Sequence, residues 1–445
     1  MHINCSHGPL RRILRHCFQA ALDASDPKRL IDQQLTRRGP LLWIQGHRLD
    51  LRSFRRVVSI GAGKASVPMA IAVERIVGPF LQGGLVVTTD KPARCPKSMM
   101  VREAGHPLPD YRGQKAAHEI LQLVDSLTAQ DLILFVLSGG ASSLLSAPSP
   151  GLTLQNKRET TRALLRCGAT IREINIVRKH MSAIKGGRLA AATPATIYAL
   201  ILSDVPGDDL STIGSGPTAP DPTTYEEAFA ILRRYRIWTA LPRAVRHHFQ
   251  RGLAGTIPET PKPNTPIFRR VHNCIIGNNV QAASAISRQA RRLGYRSLIL
   301  TSQLTGEAKE VGKVLGSIGK DIDRIGRPIS RPACIILGGE PTVTVHGSGK
   351  GGRAQEVVLG AALAIASQRK LWVAGLGTDG RDGPTDVAGA VANDRFVAQC
   401  RAKGLDPHRL LAMHASYACF QAVGGHIRTG PTGTNVNDVY LILAP

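Results

Sequence analysis

The sequence predicts an α/β protein built on parallel sheets, and three observations support that fold class. Short apolar runs alternate with longer segments of helical periodicity, the pattern of repeated strand–helix units. The apolar runs are continuous, as expected for strands that are covered on both faces. Several runs end in loops rich in glycine and ionic residues. The length of 445 residues indicates two or three domains.

The first half opens with a predicted amphipathic helix that ends near Ala24 and places Leu10, Leu14 and Phe18 on one face. Alternating strands and helices follow it. The predicted strands are Val57–Ile60, Gly84–Thr88, Leu132–Leu137 and Ile197–Leu202, and the predicted helices are Ala65–Val77, Gly113–Ser126, Leu154–Cys167 and Ile174–Ala192.

A proline-rich segment, "GLAGTIPETPKPNTP", covers Gly252–Pro266. Its four prolines prevent regular structure and stiffen the chain. We therefore predict an N-terminal domain at residues 1–251, a linker at 252–266 and a C-terminal domain at 267–445. In the second half we predict strands Cys274–Ile276, Ser297–Thr301, Cys334–Leu337, Thr342–His346, Leu371–Leu376 and Val439–Leu443, and helices Val280–Leu293, Thr305–Ile325 and Arg353–Ala366.

The composition narrows the function classes. The formal net charge is +25 at pH 7, but the basic residues are spread along the chain and only 4% of residues are aromatic, so stacking platforms for single strands are scarce. We expect a basic surface that attracts anionic small molecules and does not bind nucleic acid. No apolar stretch approaches the roughly 20 residues of a membrane helix, and the N-terminus lacks the features of a signal peptide.

The eight cysteines are scattered, without C-x-x-C pairs or zinc spacing. This favours reduced structural thiols over disulfides or a metal site. Together with the absence of targeting signals, it predicts a cytoplasmic protein.

The first glycine-rich loop, "VVSIGAGKAS", follows a predicted strand, where ligands bind in open α/β sheets. Gly61 and Gly63 fit the turn of a dinucleotide-binding domain, with Ser66 in place of its last glycine. Lys64 instead favours a phosphate site, in which backbone N–H groups and a cation cradle the anion. An ordinary tight turn is the structural alternative. The loop lacks Walker A spacing.

The second glycine-rich loop, "LSGGASS", follows the strand Leu132–Leu137. Hydroxyl and N–H groups at the start of a helix suit an anion, although a capped helix start needs the same residues. The candidate anion ligands of this loop are Ser138, Gly139, Gly140, Ser142 and Ser143.

Aspartates follow two other strands. Asp204, Asp208 and Asp209 come directly after Ile197–Leu202, and Mg²⁺ commonly takes one or two such carboxylates. Turn and capping chemistry around Pro206-Gly207 is the alternative. The same choice applies to a second set in "GTDGRDGPTD", namely Asp379, Asp382 and Asp386.

The segment "GSGKGGRAQE" combines glycines with two basic residues, Lys350 and Arg353. An arginine at the start of a helix opposes the helix dipole, which favours acids there. That placement predicts an anionic ligand, a carboxylate or phosphate, held by the guanidinium of Arg353. Gly351 and Gly352 would let the ligand approach the backbone.

Other polar residues support no assignment from the sequence. His106 in "AGHPLPD" is a loop histidine beside prolines, a placement that is more often structural than catalytic. Lys179, Lys185 and Arg188 fit the solvated face of a helix.

Taken together, the motifs resemble the glycerate 2-kinase family, whose C-terminal half is the MOFRL domain. They occur in family order from about Val57 to the C-terminus. The matching segments are "GAGKAS", "AGHPLPD", "LSGGASSLL", "REINIVRKHMSAIKGGRLA", "LILSDVPGDDLSTIGSGPTAPDPTT", "GGEPTVTVHGSGKGGRAQE", "GTDGRDGPTDVAGA" and "TGPTGTNVNDVY".

The resemblance implies two different three-layer α/β/α domains, the N-terminal one Rossmann-like, with the active site in the cleft between them. It implies phosphorylation of D-glycerate by ATP and Mg²⁺ to give 2-phosphoglycerate. It places the family's active-site lysine and arginine at Lys64 and Arg353.

On this basis we expect the glycine loops and helix N-termini to hold ATP, Asp204 and Asp208 to hold Mg²⁺, and Asp379 or an earlier aspartate to orient or deprotonate the 2-hydroxyl. The expected partners are ATP and a hydroxy acid, with neither nucleic acid nor membrane, and a homodimer is the assembly to test. The nucleotide-binding candidates are Gly61, Gly63, Ser138, Gly139, Gly140, Ser142, Gly351 and Gly352.

Two departures from the family pattern affect the choice of acid. Ala141 stands where the family has a third glycine, and Ala354 stands where asparagine is usual. An NAD(P)H-dependent hydroxypyruvate reductase is the alternative function, with Asp90 near the position of a ribose-binding acid. A nucleic-acid-binding protein is a third class, which a steep salt dependence of binding would reveal.

Overall fold

The computed structural model describes residues 1–4, 8–90, 93–366, 368 and 370–445. The chain forms two compact units. The first unit is Pro27–Ile276, and the second unit combines Met1–Asp26 with Gly277–Pro445. Among the described residues, no helix is long and apolar enough to cross a membrane.

The described secondary structure alternates strands and helices through most of the chain. The strands are β1 His2–Ile3, β2 Leu35–Arg38, β3 Leu41–Ile44, β4 His47–Asp50, β5 Arg56–Ala62, β6 Leu81–Thr88, β7 Met100–Glu103, β8 Asp131–Leu137, β9 Thr196–Leu202, β10 Val271–Gly277, β11 Arg296–Leu304, β12 Ala333–Gly339, β13 Trp372–Gly377, β14 Gly389–Asn393, β15 His426–Arg428 and β16 Asp438–Ala444. The α-helices are α1 Gly8–Ala24, α2 Pro27–Gln34, α3 Ser66–Val77, α4 Tyr111–Asp125, α5 Ala141–Leu144, α6 Leu154–Arg166, α7 Ile171–His180, α8 Arg188–Ala191, α9 Tyr225–Arg234, α10 Arg243–Leu253, α11 Asn279–Arg292, α12 Ala308–Ile325, α13 Arg353–Ala364, α14 Phe396–Ala402, α15 Pro407–Ala412 and α16 Ser416–Val423.

The first unit is built on a six-stranded sheet of order β10-β9-β8-β5-β6-β7. The pairs β5–β6, β5–β8, β6–β7 and β8–β9 are parallel. Every residue of β8 is buried, because helices cover continuous apolar strands of this kind. The polar loops after β5, β8 and β9 therefore emerge at one edge of the sheet, its carboxyl edge. The predicted α/β fold class is confirmed.

The second unit is built on a seven-stranded mixed sheet of order β1-β15-β14-β13-β16-β12-β11. Here only the pair β11–β12 is parallel among the described pairings, and β16 runs antiparallel to both β12 and β13. Helix α13 is buried along nearly its whole length, and with α12 it belongs to the apolar core of this unit. The sequence predicted a parallel pattern, which the antiparallel strands of this sheet do not follow.

The N-terminal helix belongs to the second unit. Leu10, Leu14 and Phe18 are buried, and α1 packs on α11. This apolar face is the one that the sequence predicts, but its partner lies about 260 residues further along the chain, beyond the reach of a local pattern. The division at residues 1–251 and 267–445 therefore differs from the units observed.

The proline-rich segment Gly252–Pro266 lies within the first unit. Its backbone and side chains are held there: Glu259 accepts hydrogen bonds from Tyr225 N at 2.7 Å and from His180 Nε2 at 3.2 Å, and Asp221 N donates to Pro261 O at 2.9 Å. Strand β10 follows the segment and joins the first sheet. The segment is thus not the boundary between the two units.

Two predicted elements are wrong. Thr342–His346 is not a strand, and only an isolated bridge joins Thr342 to Glu307. The helix predicted at Ile174–Ala192 is broken, because α7 ends at His180 and α8 begins at Arg188. In the turn before α8, Gly186 and Gly187 have φ values of +57° and +78°, which a right-handed helix does not accommodate.

Substituting Phe18 with alanine tests the docking of α1. Phe18 is 0% exposed, so the variant is expected to lose about 3–5 kcal/mol of unfolding free energy. Gln19→Ala, on the exposed face of the same helix, should stay within about 0.5 kcal/mol. Equilibrium urea unfolding measures both, and equal losses in the two variants would contradict this packing.

Candidate active site

The loops after β5 and β8 interlock at the carboxyl edge of the first sheet. Gly63 has φ +132°, and a Cβ placed on it would overlap Ser138 Oγ. Ala65 N donates to Ser138 Oγ at 3.0 Å, and Lys64 N donates to Gly139 O at 2.9 Å. The sequence placed these residues near each other correctly, since β5 and β8 are paired parallel neighbours.

The backbone N–H groups of the first loop are bound by the protein itself. Gly63 N donates to Val87 O and Ser66 N to Gly63 O, while Lys64 N and Ala65 N bond to the second loop as described above. The expected cradle of backbone amides for a phosphate therefore finds no support in these hydrogen bonds. The loop instead fixes the position of the half-buried Lys64.

Gly140 lies beneath two side chains. A Cβ at this position would be 3.6 Å from Lys64 Cγ and 3.1 Å from the His106 ring. His106, which the sequence left unassigned, thus lies beside Lys64 at the same loop. Lys64, His106 and Ser142 are all at least partly exposed, so they lie at the surface of this edge of the sheet.

Ser142 is held by two cationic side chains. Lys185 Nζ donates to Ser142 O at 2.6 Å and to its Oγ at 2.7 Å, and Arg178 Nη2 donates to the same Oγ at 2.8 Å. Ser215 Oγ lies 2.8 Å from Ser142 Oγ. Burial lowers the pKa of Lys185 well below its ordinary value, and Arg178 and Lys157 lower it further.

The expectation of a solvated helix face is therefore wrong for two of its three residues. Lys185 is 1% exposed and Lys179 is 4% exposed. Lys179 forms a buried ion pair with Asp221, with Nζ and Oδ1 2.9 Å apart. The clue in the sequence was "SAIKGGR": Lys185 lies in the turn between α7 and α8, directly before Gly186 and Gly187, which have positive φ.

The acidic loop after β9 lies beside the second loop, because Ser215 contacts Ser142 and a Cβ on Gly214 would be 3.5 Å from that of Ala141. Asp209 accepts bonds from Ser211 and Thr212, so its role is structural. Asp204 and Asp208 are partly exposed.

Asp204 and Asp208 could supply only some of the ligands of a metal ion. In the described residues, no group of three or more His, Cys, Asp or Glu could hold an ion by itself. Two carboxylates on one turn fit Mg²⁺, which completes its shell with water and with substrate phosphates.

In the second unit, Arg353 begins α13 and already holds two carboxylates. Its Nε and Nη2 donate to Asp438 at 2.7 and 3.1 Å, and its Nη1 donates to Glu340 at 2.6 Å. Burial lowers the pKa of Arg353, but Asp438 and Glu340 together raise it above its ordinary value. The anion predicted for this arginine is, in this structure, supplied by the protein, and the sequence reasoning singled out neither acid.

Side chains of the protein also approach Gly351 and Gly352 closely. A Cβ on Gly352 would overlap the Asp382 carboxylate, and one on Gly351 would overlap Ser416 Oγ. Asp382 accepts from Ala354 N and Gln355 N, both at 2.9 Å, and so caps α13. Burial raises its pKa to about 6, with Asp438 adding to the effect.

Asp379 lies in the turn after β13. Its Oδ1 accepts a bond from Arg381 N at 3.0 Å, and the residue is half-buried. Of the three acids in "GTDGRDGPTD", only Asp382 contacts the start of α13 in the described residues. Asp386 accepts from Tyr417 Oη at 2.7 Å.

Comparisons with known proteins identify the family. A profile described as "Domain of unknown function (DUF4147)" matches residues 13–250, and the MOFRL family matches residues 333–438. The chain is 41% identical to the glycerate 2-kinase of Pyrococcus horikoshii over 98% of its own length and 97% of the relative's. The chain belongs to the glycerate 2-kinase family.

Other relatives agree in fold and differ in name. The crystal structure of glycerate kinase from Thermotoga maritima superimposes with a TM-score of 0.85, at 36% identity, and covers 99% of this chain and 100% of that one. A protein of Agrobacterium vitis, 41% identical over 97% of this chain and 94% of its own length, carries a hydroxypyruvate reductase name. The two-domain α/β architecture expected for the glycerate 2-kinase family is confirmed.

Gly63→Ala tests the interlocked loops. The added Cβ meets Ser138 and forces φ +132° on an L-residue, so we expect a loss of at least about 2 kcal/mol. Gly151→Ala is the matched control, because Gly151 has φ +83° but nothing within 4 Å of its Cβ position; about 1 kcal/mol is expected there. Thermal unfolding compares them, and equal losses would contradict the interlock.

Proposed function

We propose that this chain transfers the γ-phosphoryl group of ATP to the 2-hydroxyl of D-glycerate, with Mg²⁺, to give 2-phosphoglycerate. The names of its family relatives support a glycerate kinase reaction. The structural observation that carries the proposal is the interlock of the first two loops, which holds Lys64 beside Gly140. Two residues after Gly140, Ser142 accepts hydrogen bonds from Arg178 and Lys185. Phosphoryl transfer depends on such positioned positive charge.

Within this proposal, Lys64 offsets the charge of the transferred group. Gly61, Gly63, Ser138 and Gly139 act as the scaffold of the lysine, because their contacts are with one another and with neighbouring strands. Gly140 and Ser142 are the members of the set that face the phosphate chain.

Asp204 and Asp208 would hold Mg²⁺, which neutralises phosphate charge when it is bound. Both side chains are partly exposed after β9. Asp379 or Asp204 orients or deprotonates the 2-hydroxyl. Asp382 is excluded from that role, since both of its carboxylate oxygens accept bonds from α13.

Arg353 grips the carboxylate of the acid or the γ-phosphate. Three of its five N–H groups are used by Asp438 and Glu340, and its side chain is 31% exposed. The two remaining N–H groups are donors fixed in direction by the ion pairs, which favours recognition of a planar or tetrahedral anion. Gly351 and Gly352 support this arginine through Asp382 and Ser416.

The reductase function finds less support. A dinucleotide pyrophosphate binds the backbone amides of the G-x-G turn, and here the amides of Gly63, Lys64, Ala65 and Ser66 bond to the protein. Asp90, the candidate ribose ligand, is exposed and accepts a bond from Thr89. The reductase name of two relatives is the observation in its favour.

Lys64→Ala and Arg353→Ala test the two cationic roles. Each variant should lose at least about 100-fold in kcat, because each removes charge that stabilises the transferring group. Lys115→Ala, at an exposed position, is the control and should retain full activity. Near-normal turnover in both folded variants would contradict the catalytic roles assigned to Lys64 and Arg353.

A coupled assay decides the reaction. We expect ATP-dependent ADP release with D-glycerate, and a product that enolase consumes without a mutase, which identifies 2-phosphoglycerate. Oxidation of NADH by hydroxypyruvate without ATP would establish the reductase instead. Running the assay across related hydroxy acids shows whether Ala141 and Ala354 change the preferred substrate.

The proposal extends to setting and assembly. We place the reaction in the cytoplasm and expect a homodimer, which light scattering on the purified chain measures. Neither nucleic acid nor membrane is a partner in this proposal.

A further inference from the structure

Three cationic side chains converge behind Ser142 in the first unit. They are Lys157 of α6, Arg178 of α7 and Lys185 of the turn before α8, and we call them the cation cluster. Lys157 is 6% exposed and Lys185 is 1% exposed. Arg178 and Lys185 both donate to Ser142 Oγ, whereas Lys157 donates a long bond, 3.4 Å, to Ala147 O.

No carboxylate of the described residues forms an ion pair with any member of the cluster. The nearest buried pair on the same helix as Arg178 joins Lys179 to Asp221, so that acid is already committed. The groups that contact the cluster are otherwise neutral: Ser142, Ser215 and the Asn175 amide oxygen, which accepts from Arg178 at 3.5 Å. Three like charges, two of them on buried side chains, are costly without a counter-ion.

This environment disfavours the charged form of both lysines. Burial lowers the pKa of Lys157 to about 7, and the nearby charge of Arg178 contributes to this shift. Burial also lowers the pKa of Lys185, to which Arg178 and Lys157 contribute. The charged group that acts on Lys157 is Arg178, and those that act on Lys185 are Arg178 and Lys157.

The cluster reaches solvent at one place. Arg178 and Ser142 are partly exposed, and Ser142 is two residues from Gly140, which Lys64 and His106 overlie. A ligand at this position meets the Ser142 hydroxyl and the Arg178 guanidinium directly. Lys157 and Lys185 lie behind them and supply charge.

We propose that the cation cluster is a binding subsite for a tetrahedral oxyanion, and that its two lysines take up protons when the anion binds. The anion supplies the negative charge that the described residues lack. If the proposed function holds, the oxyanion is a phosphoryl group of the nucleotide or of the phosphorylated product.

The proton uptake fixes a direction for the pH dependence. With a pKa of about 7, Lys157 is about nine-tenths neutral at pH 8, so anion binding adds up to about one proton at this lysine. Affinity therefore falls as pH rises above 7, since protons must be bound at a lower concentration. Sulfate is the suitable probe, because it stays a dianion throughout this range.

Isothermal titration calorimetry of sulfate binding to the full chain, in buffers of different ionisation enthalpy at pH 8, measures the protons taken up. We expect a net uptake of at least about half a proton per sulfate, decreasing towards pH 6. Sulfate binding without uptake, or no measurable sulfate binding, would overturn the proposal.

Lys157→Met assigns the uptake to the cluster. Methionine retains the length and apolar stem of the side chain, and among the described residues the hydrogen bond lost is the long one to Ala147 O. The variant should bind sulfate about tenfold more weakly at pH 7 and take up fewer protons at pH 8. Lys115→Met, at an exposed position, should match the wild type. Arg178→Lys is the second variant, and it should weaken binding while both lysines still take up protons.

Further titrations with ADP, 2-phosphoglycerate and D-glycerate identify the source of the oxyanion. Uptake with ADP assigns the subsite to the nucleotide, and uptake with 2-phosphoglycerate alone assigns it to the product. If only D-glycerate bound with uptake, the tetrahedral assignment would be wrong. Normal kinase activity without uptake would overturn this inference and leave the proposed function intact, whereas uptake without kinase activity would do the reverse.

Discussion

The contact between Gly63 and Ser138 is the constraint on which the first-unit site depends. Because a side chain at Gly63 would overlap Ser138, the loops after β5 and β8 can approach only with glycine at this position. The approach lets Ser138 Oγ accept from Ala65 N at the start of α3. It also fixes the position of the second loop, in which Ser142 Oγ accepts hydrogen bonds from Arg178 and Lys185. Lys64 is thus positioned by the packing of its own loop against the loop that follows the neighbouring parallel strand.

The sequence predicted the elements of the first unit well, because strands covered on both faces are continuous apolar runs such as β8. It failed where pairing is non-local. The four-residue strands β2, β3 and β4 form an antiparallel sheet of their own and are too short for a clear periodic signal. In Thr342–His346 an alternating pattern is present, but the segment makes only one bridge.

The candidate site shows the same limit. The sequence located the loops and singled out Lys64 and Arg353, but it did not reveal which distant residues the cations of the site contact. Arg353 pairs with Asp438, 85 residues away along the chain, and Lys185 reaches Ser142 across 43. Such pairings decide whether a cation faces a ligand or the protein, and whether it is buried. A window of neighbouring residues carries no record of them.

The docking of α1 on α11 makes the first unit an insertion within the second. On a ribosome, which delivers the chain from its N-terminus, α1 emerges before the whole first unit, and α11, on which it packs, is complete only when residue 292 has been synthesised. The whole of Pro27–Ile276 can fold in that interval, since domains fold as units during synthesis. The second unit is thus completed last, and its first helix is the part of the nascent chain that is exposed to aggregation for longest.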